Sequence, residues 1–502
     1  MVPHMGRKKV IYLALDERPC NFNFPKFLYK DSCLEIVSPD IEIMGKNKIP
    51  GNFEKIKEFL LESTKDAYGL VISIDTLIYG GIVPSRIHYL SVEELESRLN
   101  VIREIKRNNP KILIYAFSLI MRCPQYSLSV EEPDYYDECG YEIFRKGFLT
   151  HKEKLGIISD NEKEELAKIH IKDEYLNDYL NRRKTNLSLN LKAIDLVKEK
   201  IINFMIFPQD DAAEYGWTAM DQEVVRGKIY NERLHLDILM YPGADEVGLV
   251  LLSRMQNYIK GVMPKVYIKY PAVTSCMIVP VLEDRYLDTS IKYQIIASGG
   301  FVVSSVEEAD IILAVNVSAN KMINSPTQEK PRDLSVLANY VEWFEFIKYY
   351  AKKKPVMIGD ITYLNGGSTL LLHDLVKHNL EYKLAGYAGW NTAANTLGTV
   401  IAQGFNYLIN GNTKSHLEFL ALRYVEDVGY CSIVRGKVTK MLDQYENVNY
   451  FDVSKNLEVI EGLVRKELEA FVNEFFVTNK PNLVTVKLPW KRMFEVELEI
   501  NL

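Results

Sequence analysis

The chain has 502 residues, 47% hydrophobic and 25% charged, with a formal net charge of -6. That balance supplies ample apolar material for one large core or two smaller ones, and it excludes a general electrostatic pull toward nucleic acid or anionic lipid. No run approaches the ~18 uninterrupted apolar residues of a spanning helix, so neither a nucleic-acid nor a membrane partner is expected and a soluble, cytoplasmic protein is. Six cysteines without a C-x-x-C pair read as reduced, mostly buried thiols.

In chain order, and with the leading Met-Val-Pro-His set aside, the first half offers six apolar runs: "VIYLAL", "LEIVS", "LVISI", "ILIYAF", "INFMIF" and "LDILMY". Each precedes a polar or glycine-bearing loop and then helical periodicity, the pattern of parallel strands covered on both faces. Between the fourth and fifth lies an insertion from Cys123 to Lys200, opening with "QYSLSVEEPDYYDECGYEIF". It is longer than an ordinary connection and predicts a cap or lid.

A second series follows, "KVYIKYP", "FVVSS", "DIILAVN", "PVMIGD" and "KLAGYAG", and the chain closes with amphipathic helix and the alternating "LVTVKLPW" and "FEVELEI". The expected fold class is therefore α/β: a (β/α)8-barrel-like part over residues 1–264, a Rossmann-like part over 265–410 and a helix-and-hairpin region over 411–502. The pattern leaves open whether the later strands close a barrel begun by the first six.

Polar residues gather just after the apolar runs, the edge of a parallel sheet on which loops and helix N-termini converge. The first run leads to Asp16 and Arg18, the third to Asp75 and Arg86, the fifth to Asp210 and Asp211, and the sixth to Asp245 and Glu246. Later runs lead to Asn316, Asp360 and the pair Trp390 and Asn391. Any one acid here is also what a helix N-cap looks like, worth ~0.3–1 kcal/mol against the helix dipole. Seven such ends form a pattern.

No Walker A or G-x-G-x-x-G sequence opens a helix, no G-x-S-x-G elbow is present, and His373 and His378 miss the i,i+4 spacing of paired zinc ligands. No cofactor is therefore expected. Carboxylates and amides suit glycoside hydrolysis, in which one carboxylic acid protonates the leaving oxygen and a second group handles charge at the anomeric carbon. They also suit an oxygen-ligand metal site built from Asp16, Asp75, Asp210 and Asp245, or a noncatalytic sugar-binding cleft.

The stretches "LDERPCN", "DTLIYGGIVPSR", "PQDDA", "PGADEVG" and "GYAGWNTAANTLG" resemble a bacterial and archaeal domain-of-unknown-function family, number 4127. That resemblance covers most of the chain and implies no activity. Locally, "PGADEV" is similar to the Gly-Gly-Asp-Glu-Val stretch of the β-N-acetylhexosaminidase glycoside hydrolases, whose fold is a (β/α)8 barrel. The likeness implies that Asp245 polarises a substrate acetamido group and Glu246 is the general acid. "LDERP" is similar to that family's Leu-Asp-x-x-Arg stretch, which implies a sugar-gripping Arg18, although one residue instead of two separates it from Asp16. Tyr241 and Pro242 stand where that family has its His, and Gly-Ala replaces Gly-Gly.

The adjacent Asp210 and Asp211 resemble the pair of other acetamido-assisted hexosaminidases and compete for the same roles. The leading expectation is a hydrolase of N-acetylhexosamine-containing glycosides, with Glu246, Asp245, Asp210 and Asp211 as catalytic candidates. Asp16, Arg18, Asp75, Arg86, Trp390 and Asn391 are its substrate-binding candidates. The partner is a small carbohydrate, and homo-oligomerisation is left open.

Overall fold

The computed structural model describes residues 6–324 and 335–502, and the leading tetrapeptide lies outside them. The chain divides into two compact units. The first runs up to Glu17 and includes Leu34–Leu251 and Leu282–Asp284; the second comprises Arg18–Cys33, Leu252–Val281 and Arg285–Leu502.

In the first unit the six expected runs are the strands β1 (Lys8–Leu13), β2 (Leu34–Val37), β3 (Gly69–Ser73), β4 (Leu113–Phe117), β5 (Phe204–Gln209) and β6 (Ile238–Pro242). All pair in parallel, in the order β2-β1-β3-β4-β5-β6. Every residue of β3, β5 and β6 is buried, as expected of strands covered on both faces. The sheet is open: β2 and β6 are its edges, and among the described residues no pairing joins them into the barrel that the sequence suggested. The same alternation of apolar runs and helices serves either architecture, so the local pattern does not encode closure.

The insertion after β4 folds as helices. Ser73 to Tyr79 first supply α1 (Ile74–Tyr79) behind β3, and the insertion adds α2 (Tyr136–Lys154), α3 (Asp160–Lys168) and α4 (Asp173–Lys198). Its own small core joins Met121 and Cys123 to Tyr136, Ile143, Phe144 and Tyr179. That core pins the loop between β4 and α2 to the sheet's carboxyl-terminal side, where Met121 and Cys123 follow the strand.

The second unit holds β7 (Lys265–Lys269), β8 (Phe301–Val302), β9 (Ile311–Asn316), β10 (Val356–Asp360) and β11 (Gly386–Ala388). These are also parallel, in the order β8-β7-β9-β10-β11. Both sheets thus place their second strand outside their first and build the rest on the other side, the doubly wound arrangement. In this unit α5 (Ala393–Asn410) follows β11, α6 (Lys414–Arg423) runs into a π-helix over Tyr424–Val434, and α7 (Leu457–Phe475) precedes an antiparallel hairpin, β12 (Asn482–Lys487) with β13 (Glu497–Asn501). The terminal hairpin is where the alternating segments predicted it. Among the described residues no helix is long and apolar enough to cross a membrane.

Candidate functional site

Ser73 ends β3 and caps α1, its hydroxyl accepting the Thr76 N–H at 3.1 Å, while the Thr76 hydroxyl donates to the Ala14 and Leu15 carbonyls at 2.7 Å. The first turn of α1, which carries Asp75, is thereby tied to the end of β1. Asp75 is buried, and its Oδ2 accepts the Leu119 N–H at 2.9 Å. Burial pushes its carboxyl up to about 7, against the pull of that N–H and of Arg86. Arg86 is itself buried, on the short helix Pro84–Ile87.

At the end of β5 the chain presents Asp210 and then Asp211, the latter in the left-handed region with φ 45°. Aspartate tolerates that conformation better than most residues, and it turns two neighbouring carboxylates away from the strict alternation of a strand. Asp210 Oδ2 sits 2.7 Å from Arg86 Nη2, and Asp211 Oδ2 sits 3.0 Å from Arg122 Nη1. Glu131 and Glu132, from the loop between β4 and α2, each touch both arginines. Glu131 Oε2 lies 2.9 Å from Arg86 and 3.1 Å from Arg122; Glu132 Oε1 lies 3.5 Å from Arg86 and 2.8 Å from Arg122 Nε. The Tyr126 hydroxyl meets Arg122 Nη2 at 2.9 Å.

Two guanidinium groups thus face four carboxylates, a surplus of negative charge that water only partly screens. Asp210 and Asp211 keep 15% of their side-chain exposure and Glu131 keeps 19%. Burial first, and then the charge of Asp210, push the Asp211 carboxyl up to about 6 against Arg122 and Arg86. Adjacent carboxyl groups in unlike environments, at the carboxyl-terminal edge of a parallel sheet, form an arrangement able to hold and deliver a proton.

The other candidates fall elsewhere. Asp245 and Glu246 are both buried where β6 turns into helix, and Glu246 Oε2 accepts the Ala244 N–H at 2.9 Å. Gly243, at φ 155°, leaves room for this: a Cβ there would lie 2.0 Å from Glu246 Oε1. Asp16 is buried after β1 in the first unit. Arg18, Trp390 and Asn391 belong to the second unit. The Arg18 guanidinium lies 4.9 Å over the Trp490 ring. Trp390 is 8% exposed, with its indole N–H donating to Thr399 Oγ1 at 3.2 Å and Phe24 edge-on at 6.1 Å, which is the environment of a core tryptophan. Asn391 has φ 52°, and its carbonyl accepts the Asn365 N–H.

The second unit has its own buried acids. Asp360, ending β10, accepts from Asn316 Nδ2 at 2.9 Å, Ser368 N at 2.6 Å and Tyr387 Oη at 2.9 Å. Asp427, on the π-helix, accepts from Gly389 N at 2.7 Å and Arg423 at 3.0 Å. Burial raises Asp360 to about 6 and Asp427 to about 8. Arg423 and Asp427 are fully enclosed, and a Cβ on Gly389 would fall 3.0 Å from Gly367 Cα, so no room is left above them.

Of the residues that the sequence singled out, the structure brings Arg86, Asp210 and Asp211 into one cluster; Arg122, Tyr126, Glu131 and Glu132 were not among them. Arg122 follows β4 just as the other polar candidates follow their strands, so the signal that finds it was present in the sequence. Among the described residues no group of three or more His, Cys, Asp or Glu side chains is arranged to hold a metal ion, and Asp16, Asp75, Asp210 and Asp245 form none. The sequence matches the family described as "Protein of unknown function (DUF4127)" over residues 10–499. No curated protein matches it.

Proposed function

From the premise that the chain belongs to this family of unknown function, we propose that it is a glycoside hydrolase working by acid/base catalysis at Asp210 and Asp211. The observation that carries the reading is the adjacent pair itself, each aspartate held by a different buried arginine and both still reached by solvent. Asp211, with its carboxyl pushed up to about 6, is the proton donor to the leaving oxygen. Asp210, paired with Arg86, is the fixed negative charge that orients the substrate group attacking the anomeric carbon. On the local likeness to hexosaminidases, that group is the acetamide of an N-acetylhexosamine.

The surplus of carboxylate over guanidinium supports a neutral, hydroxyl-rich ligand over a phosphorylated one, since an added anion meets net repulsion. The test is hydrolysis of chromogenic N-acetylhexosaminides and other glycosides by wild type, Asp210→Asn and Asp211→Asn. Turnover that both amide changes depress supports the proposal, and turnover indifferent to both overturns the pair's role. Stabilisation by sugars without turnover of any glycoside favours a noncatalytic carbohydrate-binding protein instead.

A further inference from the structure

Glu132 is fully buried, yet its Oε2 has no hydrogen-bond partner. A buried carboxylate with an unsatisfied oxygen is costly, so its other oxygen must do something that the surrounding structure depends on. Oε1 binds Arg122 Nε at 2.8 Å and approaches Arg86 Nη1 at 3.5 Å. The geometry assigns Glu132 as a positioning residue, which occupies the Nε edge of Arg122 and so restricts that guanidinium to a single-point contact with Asp211. This assignment rests on the reading of Asp210 and Asp211 as the acid pair.

The alternative geometry shows why that edge matters. Arg122 Nε lies 4.0 Å from Asp210 Oδ2 while Nη1 already holds Asp211 at 3.0 Å. With Glu132 no longer on Nε, the guanidinium can turn its Nε–Nη2 side, the side that a carboxylate grips with two parallel bonds, toward the aspartates, and charge-assisted bonds of that kind favour the deprotonated carboxylate strongly. Asp211 then loses its proton near neutrality and with it the capacity to act as an acid. The groups facing the pair are Arg86, Arg122, Tyr126, Glu131, Glu132 and, through Arg86, Asp75. Glu131 contacts Arg122 through Nη2, so of the two glutamates only Glu132 is bonded to Nε itself.

The experiment follows the Asp211 carboxyl directly, by carbon-13 NMR titration of aspartate-labelled protein, with Asp211→Asn assigning the resonance. In wild type the midpoint is expected to lie near 6. Glu132→Ala, which frees Nε, lowers it by about one pH unit or more, whereas Glu132→Gln, which loses the charge but keeps an oxygen for Nε, lowers it by less. A folded Glu132→Ala protein whose midpoint is no lower than that of Glu132→Gln overturns the assignment.

Should Glu132→Ala not fold, nitrogen-15 labelling of arginine side chains in wild type decides. A slowly exchanging Arg122 Nε–H whose shift follows the Asp211 titration supports the role, and a freely exchanging one overturns it. Both readouts are independent of turnover, so a failure to hydrolyse glycosides sinks the proposed activity without touching this result.

Discussion

In the first unit Arg86 and Arg122 are shared among Asp210, Asp211, Glu131 and Glu132, and both aspartate side chains remain 15% exposed. In the second unit, whose sheet repeats the same strand order, Arg423 is enclosed with Asp427 and Glu426, and its guanidinium lies 4.2 Å from the Phe24 ring centroid. Both clusters raise an aspartate well above the ordinary carboxylate range, so a perturbed acid does not by itself mark chemistry. What separates them is access. A proton on Asp211 can be exchanged with a bound molecule, whereas a proton on Asp427 serves to bury a carboxyl group between a π-helix and the end of β11.

The comparison breaks most readily at its two aspartates. Asp211→Asn is expected to cut glycoside turnover by about 100- to 10,000-fold, the range of a lost general acid, with little change in thermal stability. Its counterpart Asp427→Ala is expected to cost about 1–3 kcal/mol in denaturant unfolding, because it leaves the buried Gly389 N–H without its acceptor and takes from Arg423 one of its two carboxyl partners. An Asp427→Ala protein of wild-type stability would mean that the enclosed pair is not holding the second unit together.

Glu246→Gln sharpens the boundary between the two acid pairs of the first unit. As the carboxylate that closes the turn from β6 into helix, it is expected to cost about 0.5–2 kcal/mol of stability and to leave turnover within a few-fold of wild type. A loss of turnover as deep as that of Asp211→Asn would move the acid role to Glu246 and Asp245.

A smaller effect concerns pH. Asp360 and Asp427 have folded values raised above the ordinary carboxyl value of 3.8, so their contribution to stability is complete below that value. It is lost as pH rises through about 6 for Asp360 and about 8 for Asp427. Asp360→Asn removes one of these titrations. The melting temperature of that variant minus that of wild type is therefore expected to rise between pH 4 and pH 7. A difference that stays flat would show that Asp360 does not hold its proton in the folded state.

The strands were legible because a parallel strand covered on both faces is a continuous apolar run, and the short runs at Ile311–Asn316 and Phe204–Gln209 have the length of strands. Their pairing was not, since nothing local in "LEIVS" says that it lies outside "VIYLAL" at an edge of an open sheet. Asp75, Arg86, Asp210 and Asp211 stood out because each follows a strand. Glu131 and Glu132 did not, because they reach the cluster from a loop held down by the insertion's own core, a contact that only the fold creates. Arg423 and Asp427, spaced i,i+4, look in sequence like any helix surface pair; their enclosure depends on the packing around them.

Proton donation by Asp211 at an accessible acid pair is tested by the pH dependence of glycoside turnover in wild type and Asp211→Asn. Wild-type activity is expected to fall as pH rises through about 6, and the variant to show a low rate from which that fall is missing. Equal turnover and the same pH profile in both proteins would contradict it.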